Sequence, residues 1–574
     1  MTETTRGRWI LCAVLAIAGV VFLLGISWGL PSKSVDPYLF GDEPVWPGAK
    51  IAELAPSDAG VLGADVDADP IFARDRAIVL NATDRGRAEI IRRFRLFSYK
   101  PDEMITFRSL SRIKQNHGDP RLYQYGGLWV YPVGAMLQLA SAVELVDLRG
   151  DQAYYLDHPE AFGRFYLVAR LYSAAWGLVA VAAVFWILRG LGGGIVIPAV
   201  GAVCFALMPV VITMAHEAKP HLPGLALTLL AVLAATKYVE TGRRWCAMLA
   251  GALCGAAMGM VLSGLLAFAI LLMMLALRRG SVRARLAALV QATTIGLVVY
   301  AMTNPFVLIN AFRNPEILRS NLGNSTAMYA MSLGGVANAI TLVAAGASPL
   351  VALTGVVGML VLMSRREGGA AFWLLAAPAG VAMIQFVLLA KDKPPEYARF
   401  ALVVDALLLV AAFGGIALLR AARLRVTLGV ATTALTLFFG VPYIAAFVRD
   451  SGPVTSRLRA AEDIAVLTRT SGIARIVLDA EPAPYSAPPI NLFRNRLVLE
   501  PRGTRLASEA AKRVVVAVDA SKSSAPISWA DVRFSISAIR SITPATVSSP
   551  LGIESSSHRA IESLNSIVNV SMTQ

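Results

Sequence analysis

Phe165–Leu188 reads FYLVARLYSAAWGLVAVAAVFWIL, and Arg170 is its only charged side chain. A helix of this length, rising about 1.5 Å per residue, exceeds the roughly 30 Å of a bilayer's hydrocarbon core. The stretch therefore reads as a membrane-spanning helix, and the chain around it repeats the pattern. Apolar runs recur at Ile195–Met214, Leu222–Val239, Cys246–Leu277, Leu286–Thr303, Leu350–Met363, Phe372–Ala390, Phe400–Leu419 and Val426–Val448. The first run, Trp9–Leu30, follows Arg6 and Arg8 like a signal peptide. It is too long for a signal core and lacks a small-residue cleavage site, so it reads as a retained span with a cytoplasmic N-terminus.

Cys246–Leu277 is too long for one span, and arginines flank both ends (Arg243, Arg244; Arg278, Arg279). Both ends should then face the same side, which predicts a hairpin turning near Gly259 to Gly264. The total is about eleven spans. With that parity the clusters Arg243/Arg244, Arg278/Arg279/Arg283/Arg285, Arg365/Arg366 and Arg420/Arg423/Arg425 all fall cytoplasmic, as short loops rich in basic residues should. Leu128–Val146, which ends near Glu144 and Asp147, would break the parity as a crossing and reads as an interfacial or re-entrant helix.

Pro31–Arg164, Ala215–His221, Asn304–Val336 and Lys391–Arg399 are thereby placed outside, together with the tail from Arg449 to Gln574. The tail reads as a small α/β domain. A helix is expected over Ser456–Thr468, stopped by Gly472, then strands at Ile473–Leu478 and Val514–Val518, before a Ser-rich end. The division is thus 1–448 for the membrane body, carrying loop 31–164, and 449–574 for the tail. No internal repeat is visible.

Composition agrees with this fold class, an α-helical polytopic membrane protein. Of 574 residues 56% are hydrophobic and 16% charged, against roughly 45–50% and 25% in soluble domains, and the mean hydropathy is +0.60. Disordered, coiled-coil, collagen-like and disulfide-scaffold chains are excluded. Cys12, Cys204, Cys246 and Cys254 all lie in apolar stretches, which argues against disulfides and zinc sites. The net charge of +15 does not suggest nucleic acid, because no basic and aromatic platform accompanies it on a soluble domain.

Several polar residues stand out. Pro101-Asp102-Glu103 reads as a helix start with two acids at the positive end of the dipole; a carboxylate there could also serve as a general base. His216, Glu217, Lys219 and His221 crowd one short turn. They are either interfacial heads reaching water or binding groups; the histidines, five apart across Pro220, do not share a helical face as zinc ligands would. Arg399 offers a planar fork suited to phosphate, or an anchor to lipid headgroups. Asp405 lies deeper in the same span with no evident partner. Arg85, Arg87, Arg92, Arg93, Arg95 and Lys100 read as a solvated or headgroup-contacting face, or as an attractor of an anionic lipid carrier.

Pro101-Asp102-Glu103, followed by Tyr123–Pro132 (YQYGGLWVYP), resembles the first outer loop of the GT-C membrane glycosyltransferases. The nearest branch holds protein O-mannosyltransferases and lipid A aminoarabinose transferases. Ala169–Ser173, Met208-Pro209, Ala215–Ala218, Asn304-Pro305-Phe306 and Tyr397–Phe400 follow in the family's order, and the resemblance covers roughly Trp9 to Leu419. It implies transfer of a sugar from a polyprenyl-phosphate donor to a lipid, glycan or protein acceptor on the non-cytoplasmic face, usually with inversion and without cofactor or metal. A bacterial inner membrane is the expected setting. Asp102 would be the base, with Glu103 beside it. Arg399, Tyr397, Lys219, Glu217, His216, His221 and Tyr125 would line the substrate site. A second acidic pair in Leu39–Trp46 (LFGDEPVW) also resembles the motif. Asp42 is therefore the alternative base; Asp102 is favoured because the Gly-Gly-Leu-Trp stretch follows it. The rival class, a transporter or flippase, predicts symmetric halves and charges at the bilayer midplane.

Overall fold

The computed structural model describes residues 3–55, 77–192, 194–330, 332–364, 369–470, 475–478 and 481–499, together with the pairs 516–517 and 537–538. Gly472, Arg365/Arg366, most of the expected strand 514–518 and the Ser-rich end lie outside the described residues. The described chain is α-helical and polytopic. Seven helices are long and apolar enough to cross a membrane, or up to nine if each of two sharply bent pairs is one span. Apolar side chains such as Leu297, Met302, Ile384 and Phe438 are exposed on these helices, as lipid-facing positions require.

The bends have local causes. Val196–Leu207 and Pro209–Ala215 meet at 64°, and Leu333–Ala347 and Pro349–Ser364 at 104°. Each break falls on the residue before a proline, where the ring disfavours the helical conformation: Met208 is extended and Ser348 has φ 76°. The first helix also differs from expectation, because Glu3–Leu23 stops short of Leu30. Gly25 and Gly29 adopt φ of 80° and 57° there. A side chain on Gly25 would strike the Phe447 backbone, so the glycine lets the turn after the first helix pack directly on the last span.

Residues 244–277 fold back on themselves. Arg244–Met260 gives way at Val261 to a 3-10 turn Leu262–Phe268 and the helix Ala269–Leu277. The turn lies against the loop before Gly127, since Gly126 N donates to Met260 O and Leu262 N to Gln124 O, each at 3.1 Å. The other end meets the neighbouring helix, where Arg278 donates to Val239 O at 2.8 Å. Both halves are shorter than the other candidate spans, and so is Gly127–Ala142, the helix over the stretch expected to be interfacial.

Loop 31–164 and the segment after 448 share one sheet. Strand β1 (Ile78–Val79) pairs antiparallel with β3 (Arg496–Leu499), which pairs parallel with β2 (Arg475–Leu478). Asn81 pins the seam, donating to Leu492 O and Asn495 O and accepting from Leu497 N. Helix Ser456–Thr470 precedes β2. The Arg-rich helix Asp84–Leu96 corrects the surface expectation: Arg92, Arg93 and Arg95 are buried. Glu89 holds Arg92 and Arg93, Glu481 also holds Arg93, and Asp36 takes Arg95 in a two-pronged pair at 3.1 and 3.0 Å. Glu481 and Asp36 are remote in sequence, which the charge run alone could not reveal.

Candidate active site

Lys100 is extended and caps the helix Pro101–Ser111, with Pro101 at its first turn. Successive helix residues point about 100° apart, so Asp102 and Glu103 leave the same turn in different directions. Glu103 is fully buried. Arg170 grips both its oxygens at 2.8 Å, Ala218 N donates at 2.7 Å, and Ser98 Oγ donates at 2.5 Å. Arg170 also donates to the Ile26 and Trp28 carbonyls. Glu103 and Arg170 together thus tie the loop to the turn after the first helix, to Pro159–Gly190 and to the 216–221 turn. Both Glu103 carboxylate oxygens are occupied by buried donors, unlike those of its neighbour Asp102.

Asp102 faces a different set. Its Oδ2 lies 2.6 Å from Lys219 Nζ and 3.2 Å from Arg399 Nη2. Lys219 Nζ is also 3.2 Å from Glu217, which is 3.8 Å from Lys100 Nζ. Lys100 pairs with Glu396 at 2.8 Å, and Glu396 lies 3.8 Å from Arg399 Nη1. The contacts close a ring in which three cations alternate with three carboxylates. Glu217, Lys219 and Lys100 are at most 1% exposed, whereas the side chains of Asp102 and Glu396 are 27% and 21% exposed, so those two acids form the open edge. Burial works against ionising Asp102, but Lys219, Arg399 and Lys100 outweigh it and hold its pKa well below the carboxylate range. Burial also pulls Lys100 below the usual lysine value, with Glu217 and Glu396 opposing.

Aromatic rings wall this edge. The Arg399 guanidinium lies over Tyr397 and Phe400 at 5.2 and 4.9 Å, and His221 stands edge-on to Phe400 and Tyr125. Arg399 Nε is buried with no acceptor among the described residues, an orphaned donor of the kind an anion would satisfy.

The remaining expected residues separate from the ring. His216 is fully buried, its ring nitrogens each 2.8 Å from the carbonyls of Ile212 and Leu24 and its face stacked on Phe447 at 4.3 Å. Burial pushes its pKa down to about 4, so it is a neutral brace between spans. Asp42 and Glu43 are exposed and outside the ring. Asp405 is fully buried, with neither carboxylate oxygen hydrogen-bonded among the described residues. A cavity of about 400 Å³ is lined by Phe94, Phe97, Tyr99 and Glu160 but by no ring residue; the expected residues gather at the converging charges, not at this cavity. Lys100 was read only as part of the basic run 85–100, not as a partner of Glu217 and Glu396, and Glu396 is the member that sequence reasoning did not single out. Their signals were adjacency to Pro101 and a place three residues before Arg399.

Residues 160–304 match the family described as dolichyl-phosphate-mannose-protein mannosyltransferase. The chain is similar to the GT-C glycosyltransferases. Among solved structures, ArnT from Cupriavidus metallidurans, bound to undecaprenyl phosphate, is 15% identical with a TM-score of 0.42, covering 67% of this chain and 71% of that one. The apo oligosaccharyltransferase of Archaeoglobus fulgidus is 12% identical with a TM-score of 0.43, covering 86% and 64%. The S. cerevisiae protein O-mannosyltransferase complex bound to the sugar donor is 13% identical with a TM-score of 0.26, covering 40% and 36%. No curated protein matches. The glycosyltransferase-family stretch contains Arg170, Glu217, Lys219 and His221; Asp102 and Arg399 lie outside it.

Proposed function

We propose that the chain transfers a sugar from a polyprenyl-phosphate donor to a hydroxyl acceptor, with inversion, Asp102 acting as general base and Arg399 and Lys219 holding the departing phosphate. The observation that carries this reading is the convergence of one part-exposed carboxylate and two buried cations on a single point, with Arg399 Nε unfilled. While Lys219 and Arg399 grip Asp102 it is a weak proton acceptor. A donor phosphate competes for both cations, and the loosened carboxylate then regains basicity beside the acceptor hydroxyl. The acceptor oxygen attacks the anomeric carbon, its proton passes to Asp102, and the carbon–oxygen bond to phosphate breaks with its electrons leaving on the phosphate. Two permanent or strongly paired cations stabilise that charge where it develops.

The bundle's two ends support the proposed membrane setting. Arg278 beside Val239 and the 259–264 turn beside Gln124 lie at opposite ends of the hairpin. By the positive-inside rule the arginine end would be cytoplasmic, which supports reading the ring as lying on the non-cytoplasmic face of a bacterial plasma membrane. Residues 449–499 would then cap loop 31–164 on that face. The test is reconstitution with undecaprenyl-phosphate sugars. Asp102→Asn, Lys219→Met and Arg399→Ala should each lose transfer while inserting normally. Full transfer by Lys219→Met and Arg399→Ala would remove the phosphate reading.

A further inference from the structure

A ring of three cations and three carboxylates has no net charge, yet the reaction proposed above needs a surplus of positive charge for a phosphate. One carboxylate has to leave. Glu217 is fully buried between Lys100 and Lys219, and Asp102 is needed as the base. Glu396 remains. It stands at the open edge in the 3-10 turn Pro395–Ala401, and its Oε2 is the group that Lys100 and Arg399 share, at 2.8 and 3.8 Å.

We infer that Glu396 is a displaceable counter-ion: the phosphate of the donor takes its place between Lys100 and Arg399, so that Lys100 is a third phosphate-binding residue. This rests on the polyprenyl-phosphate reading and names how its site is kept in the empty state. Charge accounting supports it. With Glu396 turned out to solvent, Lys100, Lys219 and Arg399 against Asp102 and Glu217 leave one positive charge, matching the single negative charge of a phosphodiester donor. After transfer Asp102 carries the acceptor's proton, which leaves two positive charges. The phosphate, now a monoester, carries close to two negative charges at neutral pH. The buried site is neutral empty, loaded and after reaction, and so avoids the cost of an uncompensated buried charge at each stage. The seated Glu396 also gives Lys100 and Arg399 a shared carboxylate before the donor arrives.

A self-occupied site lowers apparent affinity by the fraction of time it is open. Binding of undecaprenyl phosphate to the full-length protein in nanodiscs reads this directly. Glu396→Asp keeps the charge but is too short to reach Lys100. Displacement predicts tighter binding by both Glu396→Asp and Glu396→Gln, on the order of 10-fold for the latter, and weaker binding by Lys100→Met. If Glu396→Gln tightens binding but Glu396→Asp does not, the effect is bulk charge and the displacement is refuted; weaker binding by either variant refutes it too. Should Glu396→Gln fail to fold, Glu396→Asp alone decides. Lys219→Met and Arg399→Ala separate the two readings. If they bind undecaprenyl phosphate as the wild type does, the function proposed above falls; if they lose it while Glu396→Asp is unchanged, only the counter-ion role falls.

Discussion

Asp42-Glu43 and Asp102-Glu103 are the same two residue types in the same loop, and the structure treats them in opposite ways. Asp42 follows the short helix Asp36–Phe40 in a turn where Gly41 has φ 61°, and both acids face solvent. What that segment buries is its aromatic edge, with Phe40 stacked on Phe493 and Leu492 N bonded to Leu39 O. Asp102 and Glu103 sit instead inside the first turn of an 11-residue helix, where neighbouring side chains have fixed, divergent directions. One reaches a saturated buried arginine, the other a part-open ring of charges. The lesson is that an acidic pair is drawn into buried ion pairs when a helix start aims its two carboxylates and cations wait in both directions.

The largest effect should separate the two aspartates. Asp102→Asn keeps size and hydrogen bonding but cannot take a proton, so turnover should fall by about 10²–10⁴-fold with insertion intact. Retained turnover would void the contrast. Within the second pair, Arg170→Met leaves Glu103 buried and uncompensated, and removing one partner of such a pair costs about 3–5 kcal/mol. The expected readout is a lowered Tm and yield; a normal melt with lost turnover would instead move Glu103 into the chemistry. Arg399→Lys replaces a fork by a point charge and should raise the donor KM by roughly 10-fold while leaving the melt unchanged.

A pH series tests the ring itself. Because its cations depress the Asp102 pKa, the stabilisation is fully present above the ordinary carboxylate value of about 4. It is lost only as pH falls toward the depressed value. The Tm gap between wild type and Asp102→Asn should therefore hold from about pH 7 to about pH 5. A gap closing across that window would mean the carboxylate is not held by cations. Asp42→Asn should do least, changing stability by less than about 0.5 kcal/mol, as exposed substitutions do, and transfer rate hardly at all.

Local features were legible in the sequence. Long apolar runs marked spans, the fourfold arginine flanking of 246–277 marked a fold-back, and Pro101 marked a helix start. The two Asn-Pro pairs at 304–305 and 314–315 carried more than was read from them: they open helices Pro305–Arg313 and Pro315–Thr326 inside a stretch taken as simply polar. Asn304 Oδ1 moreover accepts from Gly127 N at 2.7 Å. The ring was not legible as a ring, because its contacts join residues 117 and 297 positions apart. Sequence shows that Lys219 and Arg399 exist near helix ends but not that one carboxylate receives both. The arginines of 84–96 failed in the same way, looking like a wet face until Asp36 and Glu481 were placed beside them.

The three-stranded sheet sets a schedule for biosynthesis. Asn81 waits for Leu492, 411 residues later, and translation at about 5–20 residues per second makes that wait about 20–80 seconds. During it, nearly every transmembrane helix must enter the bilayer. The loop that carries Asp102 spends this interval with β1 unpaired and the aromatic edge around Phe40 and Trp46 uncovered, an invitation to wrong pairing. Until then the loop is held by contacts made earlier in the chain, among them Arg95–Asp36 and Arg170–Glu103. Closure by β3 therefore ties topology to folding: residues 496–499 can pair with residues 78–79 only when both lie on the same side of the membrane.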